Sequence, residues 1–64
     1  MKKRVFIVED DHTCETVLRR TIQTIEPSAV IDWEDSAERA ITLLRREQES
    51  GRHYDLIIAD IFLE

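Results

Sequence analysis

The fold of this chain is decided by residues 5–11, which read VFIVEDD. A continuous run of β-branched and aromatic residues of this length is typical of a strand that is buried on both faces. We place this first strand at residues 4–8. A second run of the same kind, YDLIIA at residues 54–59, is followed directly by Asp60. The sequence therefore predicts two buried strands that each lead into carboxylates.

The segment between these runs predicts two helices and an edge strand. Residues 13–25 have apolar side chains at helical spacing, with Asp11 or Thr13 as the N-cap and Pro27 preventing continuation. The expected buried stripe of this helix is Cys14, Val17, Leu18, Thr21, Ile22 and Ile25. Residues 30–34 then alternate between apolar and acidic side chains, which indicates a strand with one wet face.

The second helix is expected to begin after Asp35 or Ser36 and to end at Gly51, the only glycine, in a left-handed conformation. Its expected buried stripe is Ala37, Ala40, Ile41 and Leu44. The order of elements is thus β-α-β-α-β, an α/β arrangement that calls for parallel strands joined by helical crossovers.

The patterns also predict the strand order. Because the second strand is edge-like, the first strand should lie between the second and the third, in the order 2-1-3. Right-handed crossovers then place the helices on opposite faces of the sheet. The carboxyl ends of strands 1 and 3 meet where the winding reverses, which is where open α/β sheets bind ligands. We expect Glu9, Asp10 and Asp60 to converge there.

Three carboxylates in one place repel each other unless a cation is bound. Two unit charges 4 Å apart repel by about 4 kcal/mol at an effective dielectric near 20. Mg²⁺ suits carboxylate oxygens and would remove this repulsion. A carboxylate beside Mg²⁺ can also act as a nucleophile towards phosphorus and form an aspartyl phosphate. Asp60 is the candidate nucleophile, since it ends a strand beside the two acids that would hold the metal.

Composition restricts the classes of function. The chain has 64 residues and a net charge of −5, which predicts one domain at residues 1–64 and argues against direct binding of nucleic acid. No apolar run approaches the roughly 20 residues that span a bilayer, so no membrane contact is expected. The single cysteine, Cys14, fits a reducing compartment. We therefore expect a soluble, cytoplasmic protein.

Three motifs resemble the receiver domain of bacterial two-component response regulators: VEDD at residues 8–11, DSAERA at residues 35–40 and YDLIIAD at residues 54–60. The resemblance implies a flavodoxin-like, doubly wound parallel sheet and a role in phosphorelay signal transduction. It implies that a sensor histidine kinase or a phosphotransfer protein phosphorylates Asp60. It further implies that Mg²⁺ is held by Glu9, Asp10, Asp60 and the backbone carbonyl of Phe62.

The chain departs from the receiver pattern in two respects. Glu64 stands where the family usually has proline, and no residue matches the hydroxyl residue of a fourth strand or the lysine of a fifth. We therefore expect these residues to be the N-terminal half of a longer receiver.

Other interpretations remain open. The chain could be an interaction module that forms a homodimer through the open edge of strand 3 and never accepts phosphate. A Mg²⁺-dependent phosphohydrolase is disfavoured, because Phe62 occupies the position of the second acid in enzymes of the haloacid-dehalogenase type, and we expect no enzymatic activity. His12 is expected to be a solvated residue at the helix start, and Trp33 to pack at the sheet edge.

Overall fold

The computed structural model of the chain describes residues 2–60, apart from the side chain of Asp60. Three strands and two helices alternate along it. They are β1 (Arg4–Glu9), α1 (Glu15–Ile25), β2 (Val30–Glu34), α2 (Ala37–Ser50) and β3 (Leu56–Asp60). A short 3₁₀ turn, His12–Cys14, leads into α1, so this helix begins two residues later than the apolar spacing predicted. No helix in this described part of the chain combines the length and the apolar character needed to cross a membrane.

The three strands form one parallel sheet in the order β2-β1-β3, which confirms the predicted topology. The central strand is β1, where Ile7 pairs with Trp33 of β2 on one side and with Ile58 of β3 on the other. Its apolar residues, Val5 to Val8, are between 0 and 4% exposed. The continuous apolar run of β1 therefore marks an enclosed strand. The same prediction is wrong for β3, whose Leu56 and Ile57 are each 49% exposed, because among the described residues β3 pairs on one side only.

The two helices lie on opposite faces of this sheet, as the crossover rule predicted. Successive side chains of a strand point to opposite faces. Phe6 and Val8 of β1 pack with Ala40 of α2 in the hydrophobic core. Val5, which points the other way, lines a groove of about 310 Å³ together with Ile22 of α1. Each helix therefore covers one side of β1.

The predicted buried stripe of α1 is right only in part, because Leu18 and Ile22 are half-buried and no residue of the helix is fully buried. Val17 is 65% exposed and Ile25 is 78% exposed. At about 100° per residue, Val17 lies roughly 140° around the helix from Ile22, so the two cannot face the sheet together. Ile25 is the last residue of the helix. In α2 the stripe is wrong at Ile41, which is exposed, whereas Ala40 is buried as predicted.

The amino edge of the sheet is closed by a network around Arg4. Its guanidinium donates to Glu47 Oε2 at 3.1 Å, and its carbon atom Cζ lies 4.3 Å from the centroid of the Tyr54 ring. The backbone N–H of Arg4 donates to Asp55 Oδ2 at 2.8 Å. The Tyr54 hydroxyl donates to Asp32 Oδ2 at 2.6 Å, and burial together with this acceptor raises the pKa of Tyr54 to about 12. Arg4, Glu47 and Asp55 at this edge thus have partners within the fold.

Both ends of α2 follow the capping chemistry that the sequence indicated. Ser36, one of the two predicted N-caps, accepts the backbone N–H of Arg39 through its hydroxyl oxygen at 3.4 Å. Gly51 ends the helix with φ 78°, in the left-handed region. An added Cβ at Gly51 would have no other atom within 4 Å, so the backbone conformation alone explains the glycine.

We expect Gly51→Ala to lower the free energy of unfolding by about 1–2 kcal/mol, the strain of a left-handed non-glycine residue. Urea denaturation followed by circular dichroism measures the change. Gly51→Asn is the matched variant and should lose less free energy of unfolding, because asparagine tolerates the left-handed conformation better than alanine does. Equal stability of Gly51→Ala and the wild type would contradict this account of the helix end.

Candidate functional site

The carboxyl ends of β1 and β3 lie side by side at one edge of the sheet. Glu9 and Asp60 are partners in the parallel register, and neighbouring strands are about 4.8 Å apart. The backbone positions that the sequence predicted to converge are therefore adjacent. Asp10 follows Glu9 directly at the same edge.

Glu9 is a buried carboxylate at this edge, only 6% exposed. Its Oε1 accepts the backbone N–H of Asp11 at 2.9 Å, so the side chain folds back on the turn that follows β1. This hydrogen bond fixes the Glu9 carboxylate against the backbone of the turn. Glu9 therefore has a defined position next to the end of β3.

Asp10 and Asp11 differ in what their side chains do. Asp11 accepts the backbone N–H of Thr13 at 2.9 Å and the Thr13 hydroxyl at 2.7 Å. It therefore caps the 3₁₀ turn and not α1 as predicted, since the N-cap position of α1 is Cys14. These hydrogen bonds, first from the hydroxyl and then from the backbone, lower the pKa of Asp11. Asp10 is exposed and takes part in neither bond. The turn thus uses Asp11 for structure and presents Asp10 to solvent.

The structure describes two of the four predicted Mg²⁺ ligands at the level of side chains, Glu9 and Asp10. The side chain of Asp60, all of Phe62 and Glu64 lie outside the described residues. Within residues 2–60, without the Asp60 side chain, no group of three or more His, Cys, Asp or Glu side chains is arranged to hold a metal ion. The donor set that is described consists of hard carboxylate oxygens, the kind of ligand that Mg²⁺ prefers.

His12 makes contacts that the sequence did not predict. Its side chain is 55% exposed, but both ring nitrogens have carboxylate partners. Nδ1 lies 3.2 Å from Glu15 Oε1, and Nε2 lies 3.0 Å from Asp35 Oδ2. Since carboxylates only accept, a protonated ring donates to both. The prediction of a solvated residue at the helix start is confirmed, since His12 is exposed and begins the 3₁₀ turn. Its two carboxylate partners are what the sequence did not predict.

Both carboxylates that hold His12 are themselves held by arginines. Arg19 Nε donates to Glu15 Oε2 at 2.7 Å, and Arg39 Nη2 donates to Asp35 Oδ1 at 2.6 Å. Both arginines follow their acids by four residues, a spacing that is visible in the sequence. The link between His12 and Asp35 joins residues 23 positions apart, and no local pattern indicates it.

Trp33 lies beneath this network at the end of β2. Its ring centroid is 5.9 Å from that of His12. The Nε1 atom is buried and has no hydrogen-bond partner among the described residues. Trp33 therefore packs at the sheet edge, where the sequence placed it.

The network shifts the pKa values of its titratable members. Asp35 first and Glu15 second raise the pKa of His12 by their hydrogen bonds to the ring. His12 first and Arg39 second lower the pKa of Asp35 to about 2. The charged form of each partner is therefore favoured in the folded protein.

No protein-family model, curated protein or solved structure matches this chain.

We expect the contribution of His12 to stability to depend on pH. Because its folded pKa is raised, this contribution is fully present below the ordinary value of 6.5 and is lost as the pH rises through the folded pKa. Because the pKa of Asp35 is lowered from 3.8 to about 2, its contribution is present above 3.8 and is lost as the pH falls towards 2.

Urea midpoints of the wild type and His12→Gln, measured without metal, test this expectation. The wild type should be the more stable at about pH 5, and the difference should shrink at about pH 9. His53→Gln is the matched control, since this exposed histidine lies outside the network. A His12→Gln difference that stays constant across this range would contradict the assignment.

Proposed function

We propose that this chain is the phosphoacceptor part of a cytoplasmic receiver domain of the two-component type, which a histidine kinase or phosphotransfer protein phosphorylates on Asp60 in the presence of Mg²⁺. The observation that carries the proposal is the register pairing of Glu9 with Asp60, with Asp10 next in the chain. This arrangement brings the candidate nucleophile beside the candidate metal ligands at the carboxyl edge of a parallel sheet.

The proposed reaction is a transfer of one phosphoryl group. A carboxylate oxygen of Asp60 attacks the phosphorus of a phosphohistidine, a P–O bond forms, the P–N bond breaks and the donor imidazole leaves. Bound Mg²⁺ would supply positive charge against the phosphoryl oxygens. Glu9 and Asp10 are the described residues that would hold it.

The positions of these two acids support different tasks. Glu9 is buried and oriented by the Asp11 N–H, so its carboxylate is preorganised close to the end of β3. Asp10 is exposed, which suits a group that must be reached by a hydrated ion from solution. A site of this kind keeps several waters on Mg²⁺ and uses only one or two protein carboxylates.

Phosphoryl labelling tests the role of Asp60. With radiolabelled acetyl phosphate and Mg²⁺, we expect the wild type to become labelled and Asp60→Ala to lose the label, because the nucleophile is gone. Asp10→Asn should label more slowly, and the difference should narrow as Mg²⁺ is raised. Chelation with EDTA should abolish labelling.

Asp55→Asn is the matched control, an aspartate of the same sequence run at the opposite edge of the sheet. Its Oδ2 accepts the Arg4 N–H, which an asparagine oxygen also does. It should label like the wild type. A label that persists in Asp60→Ala would exclude the proposed role of this residue.

A second candidate function is an interaction module that forms a homodimer through β3. Leu56 and Ile57, which point to opposite faces of this strand, are each 49% exposed. Within residues 2–60, β1 is the one strand that pairs with β3, so the outer edge of β3 is open there. An exposed apolar strand edge promotes pairing with another chain. The other outer strand, β2, is not apolar on both faces, because Asp32 and Glu34 alternate with its apolar residues.

Sedimentation equilibrium distinguishes this second candidate. A dimer at high protein concentration that Ile57→Lys converts to a monomer would support it, because a lysine on a strand edge opposes pairing. Val30→Lys is the matched control, since Val30 is an exposed apolar residue of β2, the outer strand on the other side of the sheet. A wild type that stays monomeric at the highest protein concentration reached would exclude this second candidate function.

A further inference from the structure

Hydrogen bonds fix the turn between β1 and α1 at three successive side chains. Glu9 accepts the N–H of Asp11, Asp11 accepts from Thr13, and His12 bonds across to Asp35 in the loop after β2. The first two bonds are local and shape the turn. The third connects the turn to a different part of the fold.

We define the His12 clasp as His12, Glu15 and Asp35. We propose that this clasp is a positioning device for the acidic turn, and that His12 keeps Asp10 in place for the metal site. This inference rests on the proposed function and assigns to His12 a role that does not require contact with the metal or the phosphoryl group.

The geometry of the clasp restricts the ring in two directions. One nitrogen bonds to a carboxylate at the start of α1, and the other bonds to a carboxylate before α2. Because α1 and α2 cover opposite faces of the sheet, the clasp joins them around its carboxyl edge. The two arginines, Arg19 and Arg39, hold the carboxylates from their outer sides. The ring can therefore neither rotate nor move away without breaking one of these bonds.

Asp10 is the acid that this arrangement leaves available. It lies between Glu9 and Asp11, whose side chains are both engaged in the turn, and it is exposed. Its backbone is confined by the Glu9 bond on one side and by His12 on the other. A ligand that is preorganised in this way loses less conformational freedom when it binds an ion.

The clasp also separates the two sides of the carboxyl edge. His12 lies 5.9 Å from Trp33, between ring centroids, at the end of β2. The β2 side is therefore occupied by the clasp, while on the other side of β1 Glu9 is the register partner of Asp60. Loss of His12 should loosen the turn without disturbing the pairing of β1 with its neighbours.

Two variants and one control test the proposal on the whole chain. His12→Ala removes both bonds of the ring. His12→Gln retains one of them, because the glutamine amide nitrogen reaches about as far as the histidine Nε2 and can donate to Asp35. His53→Ala is the matched control at the amino edge, where the histidine contributes its backbone oxygen to Arg4.

The first readout is amide hydrogen exchange, which requires neither metal nor phosphorylation. In His12→Ala we expect the amides of Asp11 and Thr13 to exchange at least about tenfold faster, with those of Val5 to Val8 unchanged. His12→Gln should recover much of the protection. Exchange that rises equally in β1 would indicate general destabilisation and overturn the positioning role, as would no change in the turn.

The second readout is the Mg²⁺ dissociation constant from calorimetry. We expect it to rise at least about threefold in His12→Ala, less than the roughly tenfold to hundredfold of a group that touches a metal ligand directly. The constant for His12→Gln should lie between those of the wild type and His12→Ala, and the constant for His53→Ala should equal that of the wild type. A His12→Ala constant within the error of the wild type would overturn the inference.

Failure of the proposed function gives a different result. In that case the wild type itself neither binds Mg²⁺ nor becomes labelled on Asp60, and the positioning role of His12 is excluded as well. Failure of the inference alone leaves a wild type that binds Mg²⁺ and accepts phosphate, with a His12→Ala variant that does both equally well.

Discussion

The structure depends on the enclosure of β1, which is hydrogen-bonded on both sides and covered on both faces. Its apolar residues are almost completely buried, and every other element is placed relative to it. A slip of one residue in a strand register would turn each side chain to the opposite face. The register on β1 therefore determines which residues meet α1, which meet α2, and that Glu9 ends level with Asp60.

The two edges of the sheet use charge in different ways. At the amino edge, Arg4 bonds to Glu47 and packs on Tyr54, so that opposite charges and a polarisable ring face each other inside the fold. At the carboxyl edge, the acids that end β1 are followed by His12, whose ring is already bonded to Glu15 and Asp35. The first edge is a structural closure. The second combines a turn fixed by hydrogen bonds with an exposed acid, Asp10, which belongs to the Mg²⁺ site that we propose.

Much of the candidate site could be predicted because it follows from periodicity and topology. Two apolar runs and one alternating run were enough to order the strands and to bring the positions of Glu9 and Asp60 together. The apolar stripe of α1 was right only in part, because spacing identifies a helix but does not say which part of its apolar arc reaches the sheet. The bond between His12 and Asp35 was not predicted for a related reason, since Asp35 lies in another loop.

The sequence by itself determined the element types, the strand order and the end of α2 at Gly51, since each follows from local backbone preference or from an apolar period along the chain. Tertiary structure alone decided that His12 joins the loops after β1 and β2. This bond depends on the distance between two segments that are remote in sequence, and that distance exists only after β1 has been enclosed.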